Sequence, residues 1–426
     1  MQAKVPIIGS TKVSGRVQAL LFNRFFWLTL LMLFPAIDYF LRNIMPLPLV
    51  SSLWDEGLLV VLMAICGWRI VETNRTLPPL KTPLLAFTLM GLAYFIFNLN
   101  YLAVNIEGFR AVFQYIIAFF IGYYILSETT QLRDVTRTFV IVAGLVGLYG
   151  VIQYILGVEV PAGWIDSAET VRTRSFSIVQ SPNILGSYMV MVSPIALGLA
   201  LTESGRKRWV WLLLFAIMLA ALVFSGSRGA WLAFAAALGL VTMLLDRRIF
   251  IAFILVSVLA ASFVPTVRSR ITSLISADYL AKSSNDGRLN RYMNAYDKMR
   301  DNPFFGEGLG HYGGAVGERR FGTTYVDSYY FKTLAETGLL GLSLYLWLMA
   351  SLLYGAYLIW RRQKGTKPYF LYGGIFAGLL AVIVHNAVEN IFEMPFMNTF
   401  FWLLAGMMLS QPFLSKTLPE EAAPHE

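Results

Sequence analysis

The sequence predicts an all-α membrane protein that crosses the bilayer many times, and three observations lead to this fold class. Hydrophobic residues make up 57% of the 426 residues and charged residues only 14%, whereas a soluble domain carries about 25% charged residues. Apolar runs such as WVWLLLFAIMLAALVF and IFIAFILVSVLAASFV are long enough, with their flanks, to cross about 30 Å of hydrocarbon. Lysine and arginine are concentrated in the short loops between these runs.

Twelve spans are predicted from the apolar runs. They cover residues 25–44, 53–71, 83–99, 104–126, 136–157, 181–202, 208–225, 228–245, 247–265, 327–360, 369–388 and 394–413. Basic residues follow every even-numbered span, so the positive-inside rule places those loops and both termini in the cytoplasm. The predicted organisation is a cytoplasmic N-terminal segment (1–24), spans one to nine (25–265), a large helical extracytoplasmic loop (266–326), spans ten to twelve (327–413) and a cytoplasmic tail (414–426).

The net charge of +9 does not indicate a nucleic-acid partner. The basic residues lie between apolar runs, where orientation in a membrane requires them, so membrane lipids are the expected surroundings and no nucleic acid is expected. Cys66 is the only cysteine, which excludes an intrachain disulfide.

The 266–326 loop contains a predicted amphipathic helix in the run NDGRLNRYMNAYDKMRDNP. One stripe of this helix carries Leu289, Met293, Tyr296 and Met299, and another carries Arg288, Arg291, Ala295 and Lys298. The glycine-rich run FFGEGLGHYGG that follows is a turn region able to approach a ligand closely.

The candidate functional residues are the polar groups that this topology places at the outer surface. They are Arg172, Arg174, Arg228, Arg288, Arg291, His311, Asp327 and His385. The positive-inside rule places most arginines on the cytoplasmic side, so a group of arginines on the outer face predicts an anion that compensates their charge. Phosphate is a suitable anion because the planar guanidinium binds it in bidentate fashion. Two or three converging guanidiniums could hold a diphosphate and stabilise it as a leaving group without a metal. The alternative is that they contact lipid head groups or nearby acids.

Asp327 and Glu336 have structural as well as functional interpretations. Asp327 is expected to cap the helix of span ten, with or without a functional contact. Glu336 is expected to form an ion pair with Lys332, four residues earlier on the same helix face. His311 and His385 are read either as hydrogen-bonded structural residues or as members of the site. No metal site, nucleotide-binding loop or cofactor is predicted.

Four runs of the sequence, in order, resemble the bacterial O-antigen polymerases and O-antigen ligases over roughly residues 135–410. The runs are RTRSFSIVQSPNILGSYM (172–189), FSGSRGAWLAF (224–234), DGRLNRYMNAYDKMRDNPFFGEGLGHYG (286–313) and DSYYFKTLAETGLLGLSLY (327–345). The resemblance implies a GT-C-like, metal-independent glycosyltransferase of the inner membrane. Such an enzyme passes a glycan linked to undecaprenyl diphosphate to an acceptor hydroxyl at the outer face.

The resemblance also implies roles for individual residues. Arg174 and Arg288 are expected to hold the diphosphate. The ligases carry a histidine–asparagine pair where this chain has Asp327 and Ser328. Three alternatives remain: Asp327 acts as the base, His311 supplies an imidazole, or the mechanism differs from that of the ligases.

Three functions fit the sequence. The first is a polymerase that joins lipid-linked repeat units, with a flippase and a chain-length regulator as possible partners in its pathway. The second is a ligase that moves a finished glycan to a different acceptor. The third is a transporter or flippase, which the one-sided placement of the polar residues disfavours, because transporters bind near the bilayer midplane.

Overall fold

The computed structural model describes residues 23–73, 77–97, 99–160, 173–263, 265–274, 283–285 and 287–414. These residues form helices joined by turns and contain no β-strand, which confirms the predicted all-α class. In chain order the helices are α1 (Arg24–Met32), α2 (Phe34–Tyr39), α3 (Pro48–Thr73), α4 (Lys81–Phe97), α5 (Leu102–Phe113), α6 (Ile117–Ile125), α7 (Thr129–Ile155), α8 (Pro182–Thr202), α9 (Arg206–Ser225), α10 (Arg228–Leu245), α11 (Arg247–Phe263), α12 (Pro265–Leu274), α13 (Arg288–Asp301), α14 (Ala315–Phe321), α15 (Tyr329–Arg362), α16 (Tyr369–His385), α17 (Pro395–Leu409) and α18 (Gln411–Leu414).

The described residues make the chain a multi-pass membrane protein. Seven stretches are long and apolar enough to cross a bilayer, and the bent pair Arg24–Met32 and Phe34–Ile44 would add an eighth. The seven are Pro48–Val71, Leu99–Ile125, Thr129–Ile155, Pro182–Thr202, Arg206–Ser225, Arg228–Leu245 and Tyr329–Arg362. The apolar helices α4, α16 and α17 are shorter. The count of twelve spans and the outer loop therefore stay predictions.

Helix α8 lies at the centre of the bundle and is almost completely buried. Helix α16 packs directly against it because glycines face the contact. A Cβ atom on Gly378 would lie 2.2 Å from the carbonyl oxygen of Met191, and one on Gly374 would lie 2.4 Å from that of Pro194. Small residues of this kind let two membrane helices approach backbone to backbone.

Helix α15 is broken at Gly338, whose φ of 63° lies in the left-handed region that favours glycine. The turn after α13 fills the break. The amide of Leu339 donates to the carbonyl of Pro303 at 2.8 Å, and the amide of Gly308 donates to the carbonyl of Glu336 at 2.9 Å. The break therefore leaves these backbone groups hydrogen-bonded, as a buried helix interruption requires.

The first segment of α15, residues 329–337, extends across the end of the bundle. Helices α15 and α16 have 34 and 17 residues, so at 1.5 Å per residue they are roughly 51 and 26 Å long. Yet they meet at both ends: the Tyr329 amide donates to the Asn386 carbonyl at 2.9 Å, and the Trp360 and Tyr369 rings are 5.8 Å apart. The extra length before the break consequently cannot run along α16. We call this end of the bundle the site end.

Candidate functional site

Two arginines of α13 turn inward at the site end and contact Asp327. The Nη1 atom of Arg291 lies 2.8 Å from Asp327 Oδ2, and the Nε atom of Arg288 lies 3.5 Å from the same oxygen. The Tyr292 hydroxyl donates to the Asp327 carbonyl at 2.9 Å, and its ring stacks on Phe331 at 4.7 Å. Asp327 is therefore fixed both through its carboxylate and through its backbone.

Asp327 does not cap α15, so that prediction is wrong. The cap is Ser328, whose hydroxyl accepts a hydrogen bond from the Phe331 amide at 3.4 Å. Serine serves as well as aspartate at an N-cap. The carboxylate of Asp327 is left to pair with Arg288 and Arg291.

Glu389, in the turn between α16 and α17, is a second carboxylate of the site. It is buried, with 6% of its surface exposed. Its Oε2 atom accepts from Asn183 Nδ2 at 2.6 Å and lies 3.5 Å from Arg288 Nη2. Burial raises the pKa of the Glu389 carboxyl to about 7; the charge of Arg288 opposes this shift and that of Asp327 adds to it. Glu389 is not among the candidate residues that the sequence selects.

Arg174 is connected to Glu389 through the side chain of Asn183. Its Nη2 atom donates to Asn183 Oδ1 at 3.1 Å, and its Nε atom donates to the Ser225 carbonyl at 2.8 Å. Asn183 occupies the first turn of α8, where Ser181 caps the helix and Pro182 starts it. The Pro-Asn entry into α8 thus places one amide side chain between Arg174 and Glu389.

Arg270 on α12 is a site residue that sequence reasoning missed. It is 5% exposed. Its Nε atom would lie 3.0 Å from a Cβ atom built on Gly226, and the Nε atom of Arg174 would lie 3.4 Å from that same point. Two guanidiniums therefore converge at the glycine between α9 and α10. The run VRSRITSL, in which it occurs, contains a second arginine at 268, and spacing alone does not distinguish the two.

Arg228 and His385 border this network. Arg228 is the first residue of α10, directly after the cap Ser227. His385 is fully buried at the end of α16, where its Nδ1 atom lies 2.9 Å from the Ser187 hydroxyl. A Cβ atom on Gly229 would lie 2.9 Å from its Nε2 atom, so the imidazole packs against the α10 backbone.

His311 is held in a different environment. Its ring lies 5.1 Å from Phe321 and 5.3 Å from Tyr101, and its Nδ1 atom is 3.1 Å from the Leu309 carbonyl. Within the described part of the chain, no contact joins His311 to Asp327 or Glu389. Arg172 lies outside the described residues.

The predicted ion pair between Lys332 and Glu336 is confirmed and is deeply buried. The Lys332 Nζ atom lies 2.7 Å from Glu336 Oε2 and 3.1 Å from Glu393 Oε1. Glu336 also accepts from the Gly310 amide at 3.0 Å, and Glu393 from the Ala315 amide at 3.3 Å. The three charges fix the glycine turn against α15 beside the site.

The fold and the site together define a multi-pass membrane protein with an arginine-rich, carboxylate-containing network at one end of its helices. Residues 213–346 match the family model described as O-antigen ligase, and this match supports the O-antigen polymerase and ligase family. The matched stretch covers 134 of the 426 residues, from within α9 to within α15. The match includes Arg228, Arg270, Arg288, Arg291, His311 and Asp327. A search of the curated proteins found no match.

Proposed function

We propose that the protein polymerises oligosaccharide repeat units linked to undecaprenyl diphosphate, at the outer face of the cytoplasmic membrane and without a metal. The observation that carries the proposal is the continuous network of Arg174, Asn183, Glu389, Arg288 and Asp327 at one end of the bundle. Guanidiniums bind phosphate in bidentate fashion and stabilise charge that develops on a leaving group. The basic loops at the other end orient the site outward.

The two carboxylates have different roles in this proposal. Asp327 contacts two guanidiniums through its carboxylate and so positions Arg288 and Arg291. Glu389 has a pKa raised by burial to about 7, close to the value that suits a general base. Glu389 takes the proton of the acceptor hydroxyl as the new glycosidic bond forms. The bond from the sugar to the diphosphate breaks, and the lipid diphosphate leaves with the electron pair.

Replacing Asp327 with asparagine is expected to lower transfer while leaving α15 intact. The substitution keeps the cap, which is Ser328, and removes the charge that orients Arg288 and Arg291. Transfer rate and thermal unfolding in detergent measure the two effects. Ser328→Ala is the converse control, expected to cost stability by about 1 kcal/mol through loss of the cap. Unchanged turnover in Asp327→Asn would contradict the positioning role.

A ligase is the second candidate, because the matching family model is described as O-antigen ligase. The two functions share the donor and differ in the acceptor. A deletion strain separates them: single lipid-linked repeat units accumulate if polymerisation is lost, and long unattached chains accumulate if ligation is lost. A flippase and a chain-length regulator of the same pathway are the proposed protein partners of the polymerase.

Glycan transfer by the purified protein in detergent is the test of the proposal. With no compartment to cross, a transporter would leave the lipid-linked donor unchanged, whereas a polymerase is expected to produce a ladder of longer lipid-linked chains. Product length is read after separation by gel electrophoresis. A donor that stays intact in the presence of its acceptor and of folded, monodisperse protein would overturn the proposal.

A further inference from the structure

Helix α13 exposes an apolar stripe. Leu289, Met293 and Tyr296 are 50%, 52% and 44% exposed, and they recur at the spacing of one helix face. The inward face of the same helix is occupied by Arg288 and by the buried Ala295. Of the apolar stripe that the sequence predicts, Leu289, Met293 and Tyr296 therefore face away from the protein interior, whereas Met299 is buried.

The exposed apolar surface continues beyond the end of α13. Phe304 and Phe305, three and four residues after α13, are 67% and 47% exposed. The Phe304 carbonyl accepts from the amide of Leu340, and Leu339 and Leu340 are themselves exposed on the apolar second segment of α15. Because exposed leucines of a membrane-spanning helix face lipid, the two phenylalanines beside them lie at the lipid-facing surface as well.

Helix α13 packs against the site end of the bundle. It follows residues 329–337 of α15, which extend across the site end. Arg291 contacts Asp327 at the start of this segment, and Pro303 accepts from Leu339 at its end. The helix thus crosses the end of the bundle alongside that segment, with its apolar stripe on an open side.

We propose that α13 is an interfacial helix whose stripe of Leu289, Met293 and Tyr296 is buried in the surface of the lipid bilayer, with Phe304 and Phe305 anchoring its end. A helix with one apolar and one polar face binds in this way at the boundary of head groups and acyl chains. The functional consequence, which rests on the proposed function, is that Arg288 and Arg291 are held at head-group depth. A diphosphate on a lipid carrier arrives at that depth.

Site-specific fluorescence in vesicles tests the contact independently of activity. Cys66 is the only cysteine and is fully buried, so a Cys66→Ala background lets one new cysteine carry a label. Met293→Cys and Asn294→Cys form a matched pair, since both positions are exposed but only Met293 lies on the stripe. In phosphatidylcholine vesicles with spin-labelled acyl chains, a polarity-sensitive dye at 293 should shift to the blue and be quenched several-fold more than at 294.

Equal quenching at the two positions, or an aqueous emission at 293, would overturn the proposal and indicate that another protein or solvent covers the stripe. Phe304→Cys against Asn302→Cys is the second pair, in case the first fails to fold. Adding Arg174→Ala to the labelled protein separates the two proposals. Preserved quenching with unimpaired transfer would count against the diphosphate site alone, whereas lost quenching in the parent would count against the interfacial helix alone.

Discussion

Replacing Arg288 with alanine is expected to abolish glycan transfer, with a loss of at least about 10²-fold in rate, the order seen when one preorganised charge-stabilising group is removed. Arg288 lies 3.5 Å from both Asp327 and Glu389, so it is the cation that links the two carboxylates. Folding should survive, because Arg291 keeps its 2.8 Å pair with Asp327. Initial transfer rate in detergent and monodispersity on gel filtration are the measurements.

Lys298→Ala is the matched control for this prediction. Lys298 belongs to the same helix and has a comparable charge, but it lies away from the site and is 3.9 Å from Glu307. It should retain nearly full activity. An equal loss in both variants would indicate a general effect of the helix on folding, and a wild-type rate in Arg288→Ala would remove the central cation from the proposed mechanism.

The fold class could be predicted from the sequence because each membrane-spanning helix is marked by its own continuous run of apolar residues. The predicted span 228–245 coincides with the helix Arg228–Leu245, and the predicted span 369–388 overlaps Tyr369–His385. The break at Gly338 was not predictable in the same way. The run TGLLG reads as continuous helix, and the break exists because the turn at 303–308 supplies the missing hydrogen bonds.

The site was predictable only in part, because some of its contacts join residues that are far apart in the sequence. Outer-face charge statistics selected Arg174, Arg288 and Arg291, which the structure brings into one network. Glu389 joins that network through Asn183, a contact between residues 206 positions apart that no local pattern reveals. Asp327 and Ser328 are both good caps, so local preference could not decide between them. Arg288 and Arg291 of α13 pair with the Asp327 carboxylate, and Ser328 caps the helix.

Replacing Glu389 with glutamine is expected to lower kcat by about 10²- to 10⁴-fold, the contribution of a general base, and to remove a pH dependence. In the wild type, burial raises the pKa of this carboxyl to about 7. Below that pH the carboxyl is protonated and cannot accept a proton, so the rate should rise with pH through about 7 and level off above it. Glutamine preserves the shape and still accepts from Asn183.

The pH profile separates a catalytic role from a structural one. Asp327→Asn should lower the rate but keep a rise in rate with pH, because Glu389 still titrates in that variant. Since Asp327 contributes to raising the pKa of Glu389, its neutralisation should move this rise to lower pH. If the rate of Glu389→Gln still rises with pH as in the wild type, another group accepts the proton. If both variants lose the same fraction of the transfer rate at every pH, the two carboxylates only orient Arg288 and neither accepts the proton.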